Sequence, residues 1–339
     1  MITMFRTFWV VSLLLAVAAF GVRNDIQQFQ QTRLALSGPY LEITPGTSLS
    51  TLCQRWQQQG LLTARQCWQL KLLSLWQPEL RKLQAGVYQV KPDLLLQQLA
   101  LFRSGKVAQF SFMLREGETV AQSLQQLATA PYLQNDLADV AALKALVQWP
   151  AAWAGQPVNT EALFFPETYY YTAHSKASQL YLRAHKALLQ QLDKAWQQRD
   201  PALPLESPYQ LLTLASIIEK ETGQLAEKPL IASVFVNRLQ QKMRLQTDPT
   251  VIYGLGDRYQ GDITRAHLKD PHPYNTYMHF GLPPGPIAMV SATSLQAAAR
   301  PLLSEMLYFV AKGDGSHQFS STLKQHNAAV QQYIFGKKP

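Results

Sequence analysis

The chain has 339 residues, 47% of them hydrophobic, with a formal net charge of +9 and a pI of about 9.4. That supplies a sizeable core, enough for two globular units besides an anchoring segment. The Lys and Arg residues are scattered, with no basic run and no basic-aromatic stripe, which argues against a nucleic-acid partner and leaves anionic lipid or an acidic polymer.

The first element is an apolar run from Thr7 to Val22, bounded by Arg6 and Arg23. At 1.5 Å per residue it reaches about 24 Å, short of a bilayer core of about 30 Å, and Phe5 with snorkelling arginines would extend it. The run reads as a signal-anchor; Ala16, Ala18 and Ala19 keep a cleaved signal peptide as the alternative. Residues 1–23 are therefore read as a cytoplasmic tip and transmembrane anchor, and 24–39 as a polar stalk.

From Tyr40 the pattern is that of a small α/β unit over 40–105. Leu41–Ile43 reads as a strand, Gly46 as a turn and Ser48 as an N-cap for a helix carrying Leu49, Leu52, Cys53 and Trp56. Thr63 caps a second helix to about Trp76, Gly86–Val90 reads as a returning strand, and Leu94–Phe102 as a helix. Cys53 and Cys67 lack zinc spacing; a disulfide and two small core residues on neighbouring helices both fit. The segment Ile43–Leu49 is echoed by Leu114–Val120, each a strand, a glycine turn, a capping Ser or Thr and a helix.

The second domain is read as 106–339. Helical spacing runs over Asp136–Trp149 and Ser178–Gln198, then Pro201, Pro204 and Pro208 form a linker. Tyr209–Lys220 and Leu230–Gln240 are helices. A stretch rich in Pro, Gly, Asn and Tyr from Met243 to Pro286 is too long and aromatic for a passive loop. Leu307–Val310 and His317–Ser320 read as a hairpin, with a last helix from about Thr322.

The candidate chemistry lies at the end of the helix before Gly223. In helical phase Glu219 shares a face with Ala215 and Ser216, so its carboxyl is expected among aliphatic side chains, with a raised pKa suited to a general acid. Glu221 lies about 200° further round and faces differently. The alternative is a helix end whose glutamates pair with Lys220 or Arg238. Gln246, Asp248, Tyr274, Asn275, Thr276 and Tyr277 carry the aromatic faces, amides and carboxylate that bind sugars, in proline-bounded loops. No HExxH or GxSxG pattern occurs, and no metal, cofactor or serine nucleophile is expected.

These residues resemble the YceG-like, MltG-type endolytic murein transglycosylases. The resemblance runs from about residue 40 through Glu116-Gly117, Phe164–Tyr169, Ala215–Glu221, Ser233–Leu239, Leu245–Val251, Tyr274–Tyr277, Gly281–Ile287 and Tyr308–Ser320. It implies an α+β chain with a single-pass inner-membrane helix, a LysM-like subdomain and a periplasmic catalytic domain. It implies cleavage of the MurNAc–GlcNAc bond of nascent peptidoglycan strands to 1,6-anhydroMurNAc ends, near the peptidoglycan synthases, with Glu219 as catalytic acid/base and Glu221 among the substrate-binding residues. Ala162 departs from the family's usual glycine at that place, and Met289-Val290-Ser291 from its usual turn. Hydrolysis with Asp248 as second carboxylate, or a non-catalytic membrane-anchored glycan-binding or division scaffold, are the competing readings.

Overall fold

A computed structural model describes residues 2–336, and the side chains of residues 2–8 and 10–12 lie outside the description. The chain is α+β, with helices and small two-stranded sheets, and divides into two compact units, Met1–Phe110 and Ser111–Pro339.

The first unit carries α1 (Ile2–Gln30), β1 (Arg33–Leu34), β2 (Tyr40–Ile43), α2 (Leu49–Gln58), α3 (Ala64–Trp76), β3 (Gly86–Gln89), β4 (Asp93–Leu94) and α4 (Leu95–Ser104). Part of the apolar run, including Thr7, Phe8, Val10, Val11 and Ser12, lies outside the described side chains. Among the described residues no helix is long and apolar enough to cross a membrane. Residues 24–39, expected as a stalk, carry the end of α1 and the strand β1, and Phe29 and Leu34 are buried in this unit's core.

Local sequence explains the rest of the unit. Ser48 Oγ accepts from Thr51 N at 3.1 Å to start α2, and Thr63 with Gln66 forms a reciprocal capping box on α3. Tyr40↔Gln89 to Ile43↔Gly86 pair β2 antiparallel to β3. Around this ladder Trp56, Tyr88, Leu95, Leu99 and Phe102 are completely buried.

Cys53 on α2 and Cys67 on α3 form a disulfide, with Cα atoms 5.7 Å apart. Closing a loop of this length constrains the unfolded chain by about 3 kcal/mol. Cys67→Ser, or reduction of the bond, is therefore expected to lower the unfolding free energy of the first unit by about that amount. Denaturant melts followed by tryptophan fluorescence, with and without reductant, check it.

The strand β5 (Gln109–Met113), at the boundary, pairs with β6 (Thr168–Thr172). The second unit continues with α5 (Val120–Gln126), α6 (Val140–Lys144), α7 (Ala177–Gln197), α8 (Pro208–Glu221), α9 (Lys228–Gln240), α10 (Asp248–Leu255), α11 (Ala292–Ala299), the antiparallel hairpin β7 (Tyr308–Ala311) and β8 (His317–Ser320), and α12 (Leu323–Tyr333). The echoed segments use one local device: Gly46 and Gly117 sit at φ +81° and +73°, and Ser48 and Thr119 cap the helices that follow.

Three expectations need correction. Asp136–Trp149 is helical only over α6, because its polar side chains serve turns and caps. Asn135 Oδ1 accepts from Leu137 N at 3.1 Å, Asp139 Oδ1 caps α6, and Asp136 accepts from the N–H and hydroxyl of Ser178 at the start of α7. Pro208 is not linker but the first residue of α8, where its missing N–H costs no bond. The stretch 243–286 contains α10, and α11 was not anticipated from the sequence.

The helix α8 organises the second unit. Ser207 caps it through Gln210 N, and every residue from Leu211 to Ile218 is buried. It packs against α7, α9, α10 and α11, so its C-terminal turn emerges where the starts of three helices converge.

Candidate active site

The two glutamates at that C-terminal turn meet opposite surroundings. Glu219 Oε1 accepts from Lys228 Nζ at 3.0 Å. Its Oε2 accepts from Ser291 N at 2.8 Å and from Ser291 Oγ at 2.5 Å. The two side chains of the ion pair are 6% and 3% exposed. Lys228 opens α9, and its Nζ lies 3.1 Å from Ser291 Oγ and 3.2 Å from Thr293 Oγ1. Ser291 is the N-cap of α11. Burial alone would push the Glu219 carboxyl up. The hydroxyl and N–H of Ser291 and the Lys228 ammonium outweigh it and hold the carboxyl below its ordinary value. The raised pKa expected for Glu219 is thus corrected: burial was anticipated, its donors were not. The group is an ionised tie between α8, α9 and α11.

Glu221, the last residue of α8, is half-buried on the other side. Thr247 Oγ1 donates to its Oε1 in a short hydrogen bond. Burial pushes this carboxyl up to about 7; Thr247 opposes the shift, the Asp248 carboxylate adds to it, and the Arg238 guanidinium opposes it. The surroundings of the two carboxyls thus push them in opposite directions.

The wall facing Glu221 is built by Arg238 and Thr276. Buried Arg238 on α9 donates to the carbonyls of Leu307 at 2.6 Å, Arg244 at 3.1 Å and Leu245 at 2.9 Å, and to Gln246 Oε1 at 3.4 Å. Gln246 takes a left-handed backbone, φ +51°, and its N–H donates to Thr276 O. Thr247 N donates to Thr276 Oγ1 at 3.1 Å. These bonds aim Thr247 at Glu221 and leave Gln246 and Asp248 exposed. Asp248, at the first turn of α10, accepts from Tyr277 Oη at 2.6 Å. Burial first, then Asp248 and Glu221, raise the Tyr277 phenol, which stays protonated as a donor.

The sequence-expected residues therefore separate. Glu221, Gln246, Asp248 and Tyr277 come together. Asn275 and Thr276 are buried framework: Asn275 Nδ2 donates to the carbonyls of His267, Leu268 and Asp270, and its Oδ1 accepts from Tyr277 N. Tyr274 belongs to a second cluster, where its Oη accepts from Asn159 Nδ2 at 2.9 Å and its ring lies 4.8 Å from Tyr253. Glu161 faces that cluster; burial pushes its carboxyl up to about 7 although Val120 N donates to it at 2.9 Å. Its neighbour Ala162 sits at φ +58°, the left-handed region that glycine occupies without strain. Thr247, Lys228 and Ser291 were missed from sequence as site residues, and Arg238 was named only as a possible partner of the glutamates; Thr247 lay inside the Gln-Thr-Asp-Pro segment that carried a signal. Among the described residues no group of three or more His, Cys, Asp or Glu could hold a metal.

At the end of α8 a carboxyl thus stands beside an exposed amide, a second carboxylate and a phenol, on an α+β scaffold. The chain belongs to the YceG-like family, whose profile matches residues 41–332. It is 47% identical over 131 residues to an endolytic murein transglycosylase of Bacillus subtilis, covering 39% of this chain and 36% of that protein. It is 32% identical over 133 residues to an endolytic murein transglycosylase of Streptococcus pneumoniae, covering 38% of this chain and 24% of that protein. The alignments thus span about a third or less of these relatives. A 2.6 Å crystal structure of a YceG-like protein from Listeria monocytogenes matches 87% of this chain and 98% of its own, with a TM-score of 0.53 and 29% identity.

Proposed function

We infer that the chain is an endolytic lytic transglycosylase acting on peptidoglycan strands, with Glu221 rather than Glu219 as its acid/base. The observation that carries the assignment is geometric: Glu221 accepts from Thr247 in the wall that also carries Gln246, Asp248 and Tyr277, whereas both carboxylate oxygens of Glu219 are taken by Lys228 and Ser291. The names of the Bacillus and Streptococcus relatives support the substrate. Protonated Glu221 gives its proton to the glycosidic oxygen as the bond from MurNAc C1 to that oxygen breaks. The sugar's own 6-hydroxyl then closes on C1, and the Glu221 carboxylate takes that proton. A 1,6-anhydro end results, no water is consumed, and the enzyme returns to its starting state. Gln246, Asp248 and Tyr277 orient the sugar hydroxyls.

Mass spectrometry of peptidoglycan digested by the full chain tests this: anhydro ends support it, and reducing ends alone overturn it in favour of hydrolysis through Asp248. Because the acid form must donate, the rate is expected to fall as pH rises through about 7. Asp248→Asn removes a like charge, so it is expected to shift that limb downward while leaving the anhydro product intact. A pH–rate profile of both proteins checks the direction.

The membrane-anchored, periplasmic placement belongs to the same reading. It is supported by the Thr7–Val22 run and by the Cys53–Cys67 bond, a cross-link that persists in oxidising compartments. The first unit corresponds in this reading to the LysM-like subdomain, and the synthases are its neighbours at the membrane. N-terminal sequencing of the mature protein is expected to read from the initial residues; a start near Asn24 would overturn the anchor.

A further inference from the structure

The helix α3 has two apolar faces, and only one is used by the fold. Cys67 and Leu70 turn inward, Leu70 fully buried, with Leu73 packed against the same core. On the opposite side Trp68, Leu72, Leu75 and Trp76 are 62%, 38%, 59% and 87% exposed. At 100° per residue these four share an arc of about 100°. A monomer's surface seldom offers two tryptophans and two leucines on one stripe without a partner.

The position of the stripe identifies the partner. Asp25 on α1 accepts from Arg65 Nη2 at 2.5 Å and from Gln69 Nε2 at 2.7 Å, and Gln66 Nε2 donates to Thr32 Oγ1 at 3.3 Å. These bonds lock α3 beside the second half of α1. Val22, Ile26 and Phe29 of α1 then line one open groove of about 700 Å³ together with Trp68, Leu72 and Trp76. Val22 is also the end of the apolar run, whose residues Leu13, Leu14, Leu15, Val17, Phe20 and Val22 are 61% to 72% exposed. From Val22 to Phe29 is about 10 Å of helix. The exposed tryptophans therefore lie within about 10 Å of the level at which the run ends, comparable with the headgroup layer of a bilayer. Tryptophan prefers that layer, where its ring is shielded and its N–H is wet. Arg65 is occupied by Asp25, but exposed Lys71, Arg81 and Lys82 flank the stripe against the single acid Glu79.

We propose that the outward face of α3 lies in the headgroup layer of an anionic membrane, so that the first unit is seated on the bilayer by Trp68, Leu72, Leu75 and Trp76 as well as tethered by α1. This rests on the anchor reading above. Seating of this kind fixes the orientation of the first unit against the membrane surface, which a tether alone leaves free.

The test uses the full chain reconstituted in vesicles of phosphatidylethanolamine and phosphatidylglycerol. A nitroxide is placed at Leu75→Cys, at Leu14→Cys on α1, or at Gln57→Cys on exposed α2; the native cysteines are bonded and stay unlabelled. Collision with oxygen, which partitions into lipid, is compared with collision with a water-soluble nickel chelate. The label at 75 is expected to favour oxygen severalfold over the label at 57, and to lose that preference when Trp68→Ser, Leu72→Ser and Trp76→Ser are combined. A label at 75 that matches 57 while 14 reads as lipid overturns the proposal and leaves the anchor standing. Water-like readings at both 14 and 75 overturn the anchor reading and the proposal together. Shielding at 75 from both reagents that grows with protein density assigns the face to a second copy of the chain, and also overturns it.

Discussion

Glu221→Gln is expected to lower the release of anhydro-ended strands by about 10²- to 10⁴-fold, toward the upper end because one residue serves as acid and then as base. The amide preserves the side chain's size and can still accept from Thr247, so the fold is expected to persist. Circular dichroism and a melting temperature no lower than that of the parent would confirm that the loss is chemical. The remaining activity should also lose the fall near pH 7, because the group responsible has gone. A folded Glu221→Gln protein with near-complete activity would refute the assignment.

Lys228→Ala is expected to cost about 3–5 kcal/mol of stability, since it strands an ionised carboxylate among buried side chains. Glu219→Gln should cost a similar amount by leaving the ammonium unpaired, and its activity should fall only as far as its folded fraction. Replacing both by apolar residues of similar volume should recover much of the loss, as the desolvation penalty then disappears with the charges. Urea titrations of the two single variants and the double variant give the coupling directly. The pair also has a definite pH signature. Glu219 is held below its ordinary value in the folded chain, so its contribution is fully present above the unfolded value of about 4.3 and is lost as pH falls through the folded value. Glu221 has the opposite sign: its raised carboxyl favours the folded state less as pH rises toward 7. Glu219→Gln should therefore flatten the acid limb of the stability curve, and Glu221→Gln should not.

Much of the architecture was legible in the chain. Caps such as Ser48, Thr63 and Thr322 act within three residues of themselves, so α2, α3 and α12 begin where local sequence places them. The hairpin of β7 and β8 follows from the apolar Leu307–Val310 and the segment His317–Ser320 on either side of Gly313 and Gly315. The family was likewise legible, because its motifs are ordered along most of the chain and residues 41–332 match its profile. The short α6 was misjudged, since helical spacing over Asp136–Trp149 competes with side chains that cap turns and a neighbouring helix.

The candidate site divides along the same line. Helical phase within α8 determined that Glu219 and Glu221 face different ways, and the apolar run before Glu219 determined that its carboxyl meets low-dielectric surroundings. The direction in which each carboxyl is pushed was decided by residues from other elements. Lys228 arrives from α9 and Ser291 from the cap of α11, 72 residues on, and their donors overturn the effect of burial at Glu219. Thr247 and Asp248 arrive beside Glu221, where one hydroxyl and one like charge leave the burial shift in place. Burial is a property that an apolar run announces in advance. The sign of a pKa shift depends on hydrogen-bond donors within about 3 Å, and only the packing of α8 against α9, α10 and α11 brings those donors in.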